Sequence, residues 1–310
     1  MNNKKIILVG STGFVGQNLM QSHCFDEAYH STNIAQAYGT CPDILVYAGM
    51  PGTKFLANRF PEKDREKLMQ AKENIVKIGA KKVILISTVD VYNCFPCTEE
   101  CLPTNSAFQS YGNHRLLLET WCKEHVRDLH IIRLPGIYGD GLKKNLIYDI
   151  IHIVPKFLNE KTYDCLMEWQ DISAYYRKEE AMYVLRDEKV CPKLRNSFLK
   201  APVNALSFTN PESRFQYYNL KWLWEDICLA IKRDIRVLNI ACEPVSAKEI
   251  LELMEISAQG GMTETIVNYD MRTKYSAIKN RSGDYLYDRE MILGDLEDFI
   301  VSEVEKWKMR

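Results

Sequence analysis

The chain has 310 residues, 46% of them hydrophobic and 26% charged, enough for one large or two modest packed domains and too apolar for a disordered chain. Forty basic side chains against forty-one acidic ones give a net charge of -1, so no charge excess points to nucleic acid or to an anionic membrane surface. The longest apolar runs, such as Ile6–Val9 and Val83–Ile86, fall far short of the roughly 18 residues needed to cross a bilayer.

Taken in order, the first apolar run meets Gly10 after Val9, which argues against a secretory signal and makes a cytoplasmic location the expectation. Ile6–Val9, Ile44–Tyr47, Val83–Ile86 and Ile131–Leu134 are short, mostly aliphatic and bounded by Gly, Pro or Ser. Continuous runs of this kind read as parallel strands buried on both faces. Between them the period becomes helical. Pro61–Ala80 predicts a helix with Leu68, Ile75, Val76 and Ile78 apolar and Gly79 placed to end it. A second helix is expected over Ser110–His125, with Leu116–Leu118 and Trp121 on its core side.

The cysteines Cys94, Cys97 and Cys101 are spaced as three thiols of a metal site would be, but no second close pair completes one, and no metal is expected. Beyond residue 141 the texture changes. Phe157–Lys200 is aromatic and charged without a strand–helix rhythm, and reads as an inserted or appended lobe. A helix over Trp222–Lys232, a strand over Arg236–Ala241 and a helix over Ser246–Ala258 come after it. The predicted class is therefore α/β, a Rossmann-like doubly wound parallel sheet with a smaller, partly interleaved lobe.

The chemistry begins at the first strand, which runs into Gly10-Ser11-Thr12-Gly13-Phe14-Val15-Gly16 and then into the helical Gln17–Ser22. Three glycines at this spacing permit a tight turn, close backbone approach and close helix–strand packing. The free amides of the helix start then face a pyrophosphate. A dinucleotide, NAD or NADP, is the cofactor expected. An acidic residue about 20 positions on would receive the ribose hydroxyls and an Arg would suit a 2′-phosphate. Glu27–Asn33 shows neither at the strand end, and His30, Ser31 and Thr32 suit both, so the two cofactors stay open. Residues 1–150 are expected to form the dinucleotide-binding domain, with segments near 215–242 returning to it, and 151–310 to form mostly the substrate-binding lobe.

In its Gly-x-x-Gly-x-x-Gly spacing the chain resembles the extended short-chain dehydrogenase/reductase family, which includes nucleotide-sugar epimerases, dehydratases and ketoreductases. Four further segments carry the resemblance in order. They are Ile86-Ser87-Thr88-Val89-Asp90-Val91-Tyr92; Tyr111-Gly112-Asn113-His114-Arg115 where the family has Tyr-x-x-x-Lys; Arg133-Leu134-Pro135-Gly136-Ile137-Tyr138-Gly139; and Leu238–Ala241 with Glu243–Ser246. The resemblance spans most of the chain and is weakest over roughly 155–205. It implies Tyr111 as catalytic acid/base with Thr88 and Arg115 beside it. It also implies a cofactor site from Gly10, Thr12, Gly13, Phe14, Val15, Gly16, His30, Ala48, Gly49, Ser87, Tyr111, Arg115 and Pro135. A cation four residues along the same helix face is expected to lower the Tyr111 pKa from its usual value near 10.

Two departures narrow the reaction. Arg115 keeps a positive charge where the family has Lys, yet a guanidinium is planar and effectively never deprotonated, so a proton relay through it is impaired. After Thr88 comes Val89, where the 4,6-dehydratases have the first of an Asp–Glu pair, which disfavours dehydration relative to epimerisation or ketone reduction. Asp90, Arg214 and Tyr217 are the substrate-binding candidates, Arg214 as a diphosphate partner. The expected substrate is a nucleotide-linked sugar, with neither nucleic acid nor membrane as partner and a homodimer left open. The competing expectations are a dinucleotide-binding regulatory protein without turnover and a reductase of a non-sugar carbonyl.

Overall fold

A computed structural model describes residues 4–101, 109–180, 182–186, 192–256 and 263–308. The aliphatic runs become strands, in the order β1 (Ile6–Val9), α1 (Phe14–Ser22), β2 (Glu27–Tyr29), β3 (Ile44–Tyr47), α2 (Lys54–Arg59), α3 (Pro61–Ile78), β4 (Lys82–Thr88), α4 (Ser110–His125), β5 (Leu129–Leu134) and β6 (Gly136–Tyr138). Next come α5 (Leu146–His152), β7 (Phe157–Leu158), α6 (Glu160–Trp169), β8 (Tyr176–Glu179), β9 (Met182–Leu185), α7 (Pro192–Phe198) and β10 (Arg214–Phe215). The chain ends through β11 (Tyr217–Asn219), α8 (Leu223–Lys232), β12 (Val237–Asn239), β13 (Val245–Ser246), α9 (Ala247–Leu253) and α10 (Arg289–Lys308). Among the described residues, no helix is long and apolar enough to cross a membrane.

Two compact units result. The first takes residues up to Gly141 together with Gln216–Glu243 and Tyr269–Arg289; the second takes Leu142–Phe215, Pro244–Asn268 and the chain from Glu290. Tyr269–Arg289, which sequence alone places in the second lobe, belongs with the first unit.

The first unit is built on a six-stranded sheet of order β12-β5-β4-β3-β1-β2, parallel at every pairing. Every residue of β1, β3 and β5 is buried, as a sheet covered on both faces requires. One face is packed by α3 through Leu68, Ala71, Ile75 and Ile78 and by α4 through Leu118 and Cys122, against Ile7, Val9, Leu45, Val83, Leu85 and Ile131. Truncating Ile75 to Ala in this layer costs about 2–5 kcal/mol. The helix α3 stops at Gly79, whose φ of 69° is the left-handed turn that a glycine adopts without penalty. Order matters for function here. Strands β1, β3 and β4 end on the same edge of the sheet, and the chain leaves β1 for opposite sides of it at β2 and β3. Ligands of doubly wound sheets bind in that crevice.

In the second unit β7, β9 and β8 form an antiparallel three-stranded sheet, with the Tyr163 ring of α6 stacked on Tyr183 of β9 at 3.6 Å. A second pairing joins β10 to β13, and Ser246 caps α9 with Glu249 closing the capping box. The described part of α9 is shorter than its expected span of Ser246–Ala258, whose last two residues lie outside the described residues. The 20-residue α10 was not foreseen, because charges interrupt its sequence. Its buried stripe, Ile292, Leu296 and Ile300, was there to be read at four-residue spacing.

Candidate active site

The glycine loop leaves β1 and is pinned on the end of β2, where the Gly10 and Ser11 amides donate to the Tyr29 carbonyl at 2.8 and 3.1 Å. The Ser11 hydroxyl donates to the same oxygen. Gly10 holds a φ of 98° and lies against the chain after β3, so a Cβ there would stand 2.4 Å from the Ala48 carbonyl oxygen and 2.9 Å from the Gly49 nitrogen. A Cβ at Gly16 would stand 2.1 Å from the Gly10 oxygen. Both glycines are therefore demanded by the packing of loop, strand and helix.

Gly13 differs. It caps α1 in an ordinary extended conformation (φ -77°, ψ 163°) and is exposed, and a Cβ there would meet only the Gly10 oxygen, at 3.2 Å. That contact is tighter than most side chains make, yet far milder than the clashes at Gly10 and Gly16. Helix α1 has neither a capping side chain nor an acidic residue in its first turn, so the amides following Gly13 and the positive end of its dipole suit an anion. Thr12 is exposed, and Phe14 and Val15 are half-buried in the same turn. His30 comes directly after β2 at this edge, its amide donating to the Asn33 side-chain oxygen at 2.7 Å and its ring 3.1 Å from the Thr32 hydroxyl. The glycine turn and the head of α1 fit a dinucleotide pyrophosphate.

Along the same edge, Tyr111 stands in the first turn of α4 and Thr88 ends β4. The Thr88 hydroxyl lies close to the Tyr111 phenol, and Arg115, Asp90 and Lys54 are the charged groups around it. The Arg115 guanidinium stacks over the Tyr111 ring at 4.4 Å. Arg115 lowers the phenol pKa, as expected of a neighbouring cation, but it does not set the sign of the net shift. Burial pushes the phenol up and outweighs the lowering by Arg115, so the net shift is upward.

The Arg115 guanidinium is also held by groups of the fold. Its Nη1 and Nη2 donate to the two Asp64 carboxylate oxygens at 2.8 and 3.1 Å, and Nη2 also donates to the Pro51 carbonyl. His114 lies 2.8 Å from the same carboxylate. Burial alone would raise the Asp64 carboxyl, but Arg115 and His114 together hold it below its usual range. The sequence offered no signal for this partner, because Asp64 sits in the charged head of α3 among residues that are mostly solvated.

Asp90 accepts from Lys54 Nζ at 2.6 Å and from the Tyr269 hydroxyl at 3.2 Å, and its amide lies 3.3 Å from Thr88 Oγ1. Lys54 and Tyr269 were both missed by sequence reasoning: neither belongs to a motif, and Tyr269 lies 179 positions from Asp90. The Ser87 side chain faces inward and donates to Glu119 at 2.6 Å. That carboxylate also receives Arg133, whose Nη1 reaches the Tyr92 hydroxyl, and Tyr92 in turn pairs with Asn239 at 3.0 Å. So Ser87, Tyr92, Arg133 and Asn239, taken from three of the recognised motifs, form a buried polar network beneath the strand ends. This engages the Ser87 hydroxyl that the resemblance offered to a cofactor. Pro135 is buried between β5 and β6.

Arg214 is exposed on β10 of the second unit, its guanidinium 3.4 Å from the Pro244 carbonyl. Tyr217 is 3% exposed on β11 of the first unit, with its ring against Gly136. Of the three cysteines, Cys97 is buried, which raises its thiol, and the Thr98 amide donates to the Cys101 sulfur at 3.2 Å. Among the described residues, no group of three or more His, Cys, Asp or Glu side chains is placed to hold a metal ion.

No protein-family model matches the sequence, and no curated protein matches it significantly. Solved structures match its fold. The chain is similar to a dTDP-4-dehydrorhamnose reductase from Yersinia enterocolitica at 14% identity and a TM-score of 0.61, over 97% of this chain and 100% of that one. It is similar to TunA, an NAD-dependent NDP-hexosamine 5,6-dehydratase involved in tunicamycin biosynthesis, at 13% identity and a TM-score of 0.63, over 99% of each chain. A UDP-galactose 4-epimerase shares 15% identity at a TM-score of 0.61, over 96% of this chain and 99% of that one. At these identities the likeness establishes architecture alone: the chain has a Rossmann-like α/β fold, as these solved structures do.

Proposed function

We propose that this chain is an NAD(P)-dependent oxidoreductase of a nucleotide-linked sugar, working in the direction of carbonyl reduction. The observation that carries the reading is the Tyr111–Thr88 pair at the end of β4, on the same sheet edge as a loop whose Gly13 is left open for a ligand. When bound, the dinucleotide supplies the hydride. The residues do the rest. Gly13 and the head of α1 receive the pyrophosphate, and Tyr111 and Thr88 hold the carbonyl oxygen of the substrate. Tyr111 then gives its proton to that oxygen as it becomes a hydroxyl. Burial supports this direction, because it keeps the phenol protonated until the oxygen develops charge. Arg115, over the ring, stabilises the tyrosinate that remains.

Dehydration is disfavoured by the two residues after Thr88. Val89 is 5% exposed and carries no acid, and Asp90 is ion-paired with Lys54. The substrate class is drawn from the solved structures of this fold, whose names give dTDP-, NDP- and UDP-linked sugars. The test is to incubate the purified protein with NADH or NADPH and a panel of nucleotide-4-keto-sugars and to monitor loss of the reduced cofactor's absorbance. Turnover on one of them supports the reading. Binding of the dinucleotide with no turnover on keto sugars or other carbonyls favours a second reading, a binding protein without catalysis. One observation supports that second reading: the Arg115 donors are engaged by Asp64 and Pro51, leaving Arg115 poorly placed to hold a ribose.

A further inference from the structure

The site contains a cation that no motif marks. Lys54 opens α2, and that helix is fastened to the start of α4. Asn58 Oδ1 accepts the Tyr111 amide at 3.0 Å, and Asn58 Nδ2 donates to Gln109 at 2.7 Å. The first of these bonds satisfies a backbone donor that a helix start otherwise leaves open. Residues 54 and 58 are one turn apart, so the face of α2 that clamps the head of α4 also presents Lys54. The ammonium is fixed there by Asp90 at 2.6 Å and by the Tyr269 hydroxyl at 3.3 Å. Asp90 in turn stands two residues after Thr88, and its backbone amide donates to the Thr88 hydroxyl at 3.3 Å.

We propose that Lys54 is a positioning residue for Tyr111: held by Asp90 and Tyr269 on the face of α2 that clamps the head of α4, it balances the Asp90 carboxylate at the site. The assignment rests on the reading of Tyr111 as the acid. Arg115 contributes a fixed charge, with its donors engaged by Asp64 and Pro51 and its side chain 4% exposed. Lys54 differs in exposure, since its side chain is 42% exposed, while burial, which lowers its pKa, is outweighed by Asp90 and Tyr269, so it stays charged. The groups acting on the phenol are Arg115 from α4, Asp90 and Thr88 from the end of β4, and Lys54 from α2. Asp90 raises the phenol pKa, while Arg115, Thr88 and Lys54 lower it. An ordinary surface ion pair between Lys54 and Asp90 would tie α2 down and contribute at most about 1 kcal/mol. It would leave the ionisation of Tyr111 unchanged when broken.

The experiment reads that ionisation directly in the full chain, without cofactor or substrate. A 3,5-difluorotyrosine placed at position 111 ionises at lower pH than tyrosine and reports its titration by fluorine NMR. Lys54→Met is expected to raise the apparent pKa of this phenol by about one unit, a tenfold change. Asp90→Asn is expected to lower it, and Lys54→Arg to restore a value near that of the unsubstituted chain. Lys54 is half-exposed, so these variants keep the fold, which circular dichroism checks. A titration that stays within about 0.2 unit in Lys54→Met, while Arg115→Lys or Asp90→Asn moves it, overturns the assignment. Failure of the functional reading is seen separately. Absence of turnover with keto sugars contradicts the oxidoreductase, whereas turnover with an unmoved titration contradicts only Lys54.

Discussion

The glycine loop and the head of α4 carry the two most readable motifs of the chain, and they answer differently to the structure. In the loop, the glycines differ by position: Gly10 and Gly16 are required by neighbouring backbone, whereas a Cβ at Gly13 would meet the Gly10 oxygen alone, at 3.2 Å. At α4 one residue serves two purposes at once. Arg115 stacks on the Tyr111 ring and also neutralises a buried carboxylate. A glycine can be tested for function without touching the fold; Arg115 cannot.

Substitutions sharpen that contrast. The largest effect is expected at Gly16. A Val there places Cβ 2.1 Å from the Gly10 oxygen, a clash only backbone movement relieves, and the cost is about 4 kcal/mol or more. The expected result is loss of cooperative thermal unfolding; a Gly16→Val protein with unchanged melting would show that the helix can shift freely.

Arg115→Met comes next. It leaves Asp64 buried with His114 beside it, and breaking a buried pair this way costs about 3–5 kcal/mol in urea unfolding. Arg115→Lys keeps the charge but loses the two-pronged bond and is expected to fall between. Because the Asp64 carboxyl is held below its usual range, the stability it contributes is present above the unfolded value of about 3.9. It is lost as pH falls through the lower folded value. The difference between the wild type and Asp64→Asn should therefore narrow only in acid.

Gly13→Val is expected to change stability by less than about 1 kcal/mol, since the residue is exposed and extended, yet to weaken NAD(P) binding at least tenfold by calorimetry. Undiminished binding would remove the loop from the cofactor site. The smallest effect concerns pH. With the phenol raised above 10 in the free protein, reduction should be insensitive to Tyr111 ionisation across neutral pH and lose its acid form only in strong alkali. A decline in rate between pH 7 and 9 traced to Tyr111 would contradict the upward shift.

Much of the first unit was legible because its elements obey short-range rules. Four aliphatic runs became four buried parallel strands, and Pro61 and Gly79 bracket α3 where helix chemistry puts them. The motif residues were legible too, although their work is not uniform. Arg133, Tyr92 and Asn239 turn out to hold one another beneath the sheet edge. The hidden features depend on contacts distant in sequence. Asp64 meets Arg115 across 51 positions, Lys54 meets Asp90 across 36, and the sign of the Tyr111 shift depends on burial, which spacing does not report. The second unit was the least legible, since β7, β8 and β9 are short and mostly half-exposed, with only one fully buried position in each.

The central claim is that Tyr111 protonates a carbonyl beside Thr88, and one measurement tests it most directly. With a keto-sugar substrate in hand, single-turnover reduction is compared between the wild type and Tyr111→Phe at equal cofactor occupancy. The ring and its stacking on Arg115 persist, so the variant should fold and bind the dinucleotide as before. Its rate should fall roughly 10²- to 10⁴-fold, the usual contribution of such a group. Wild-type turnover in Tyr111→Phe would contradict the account.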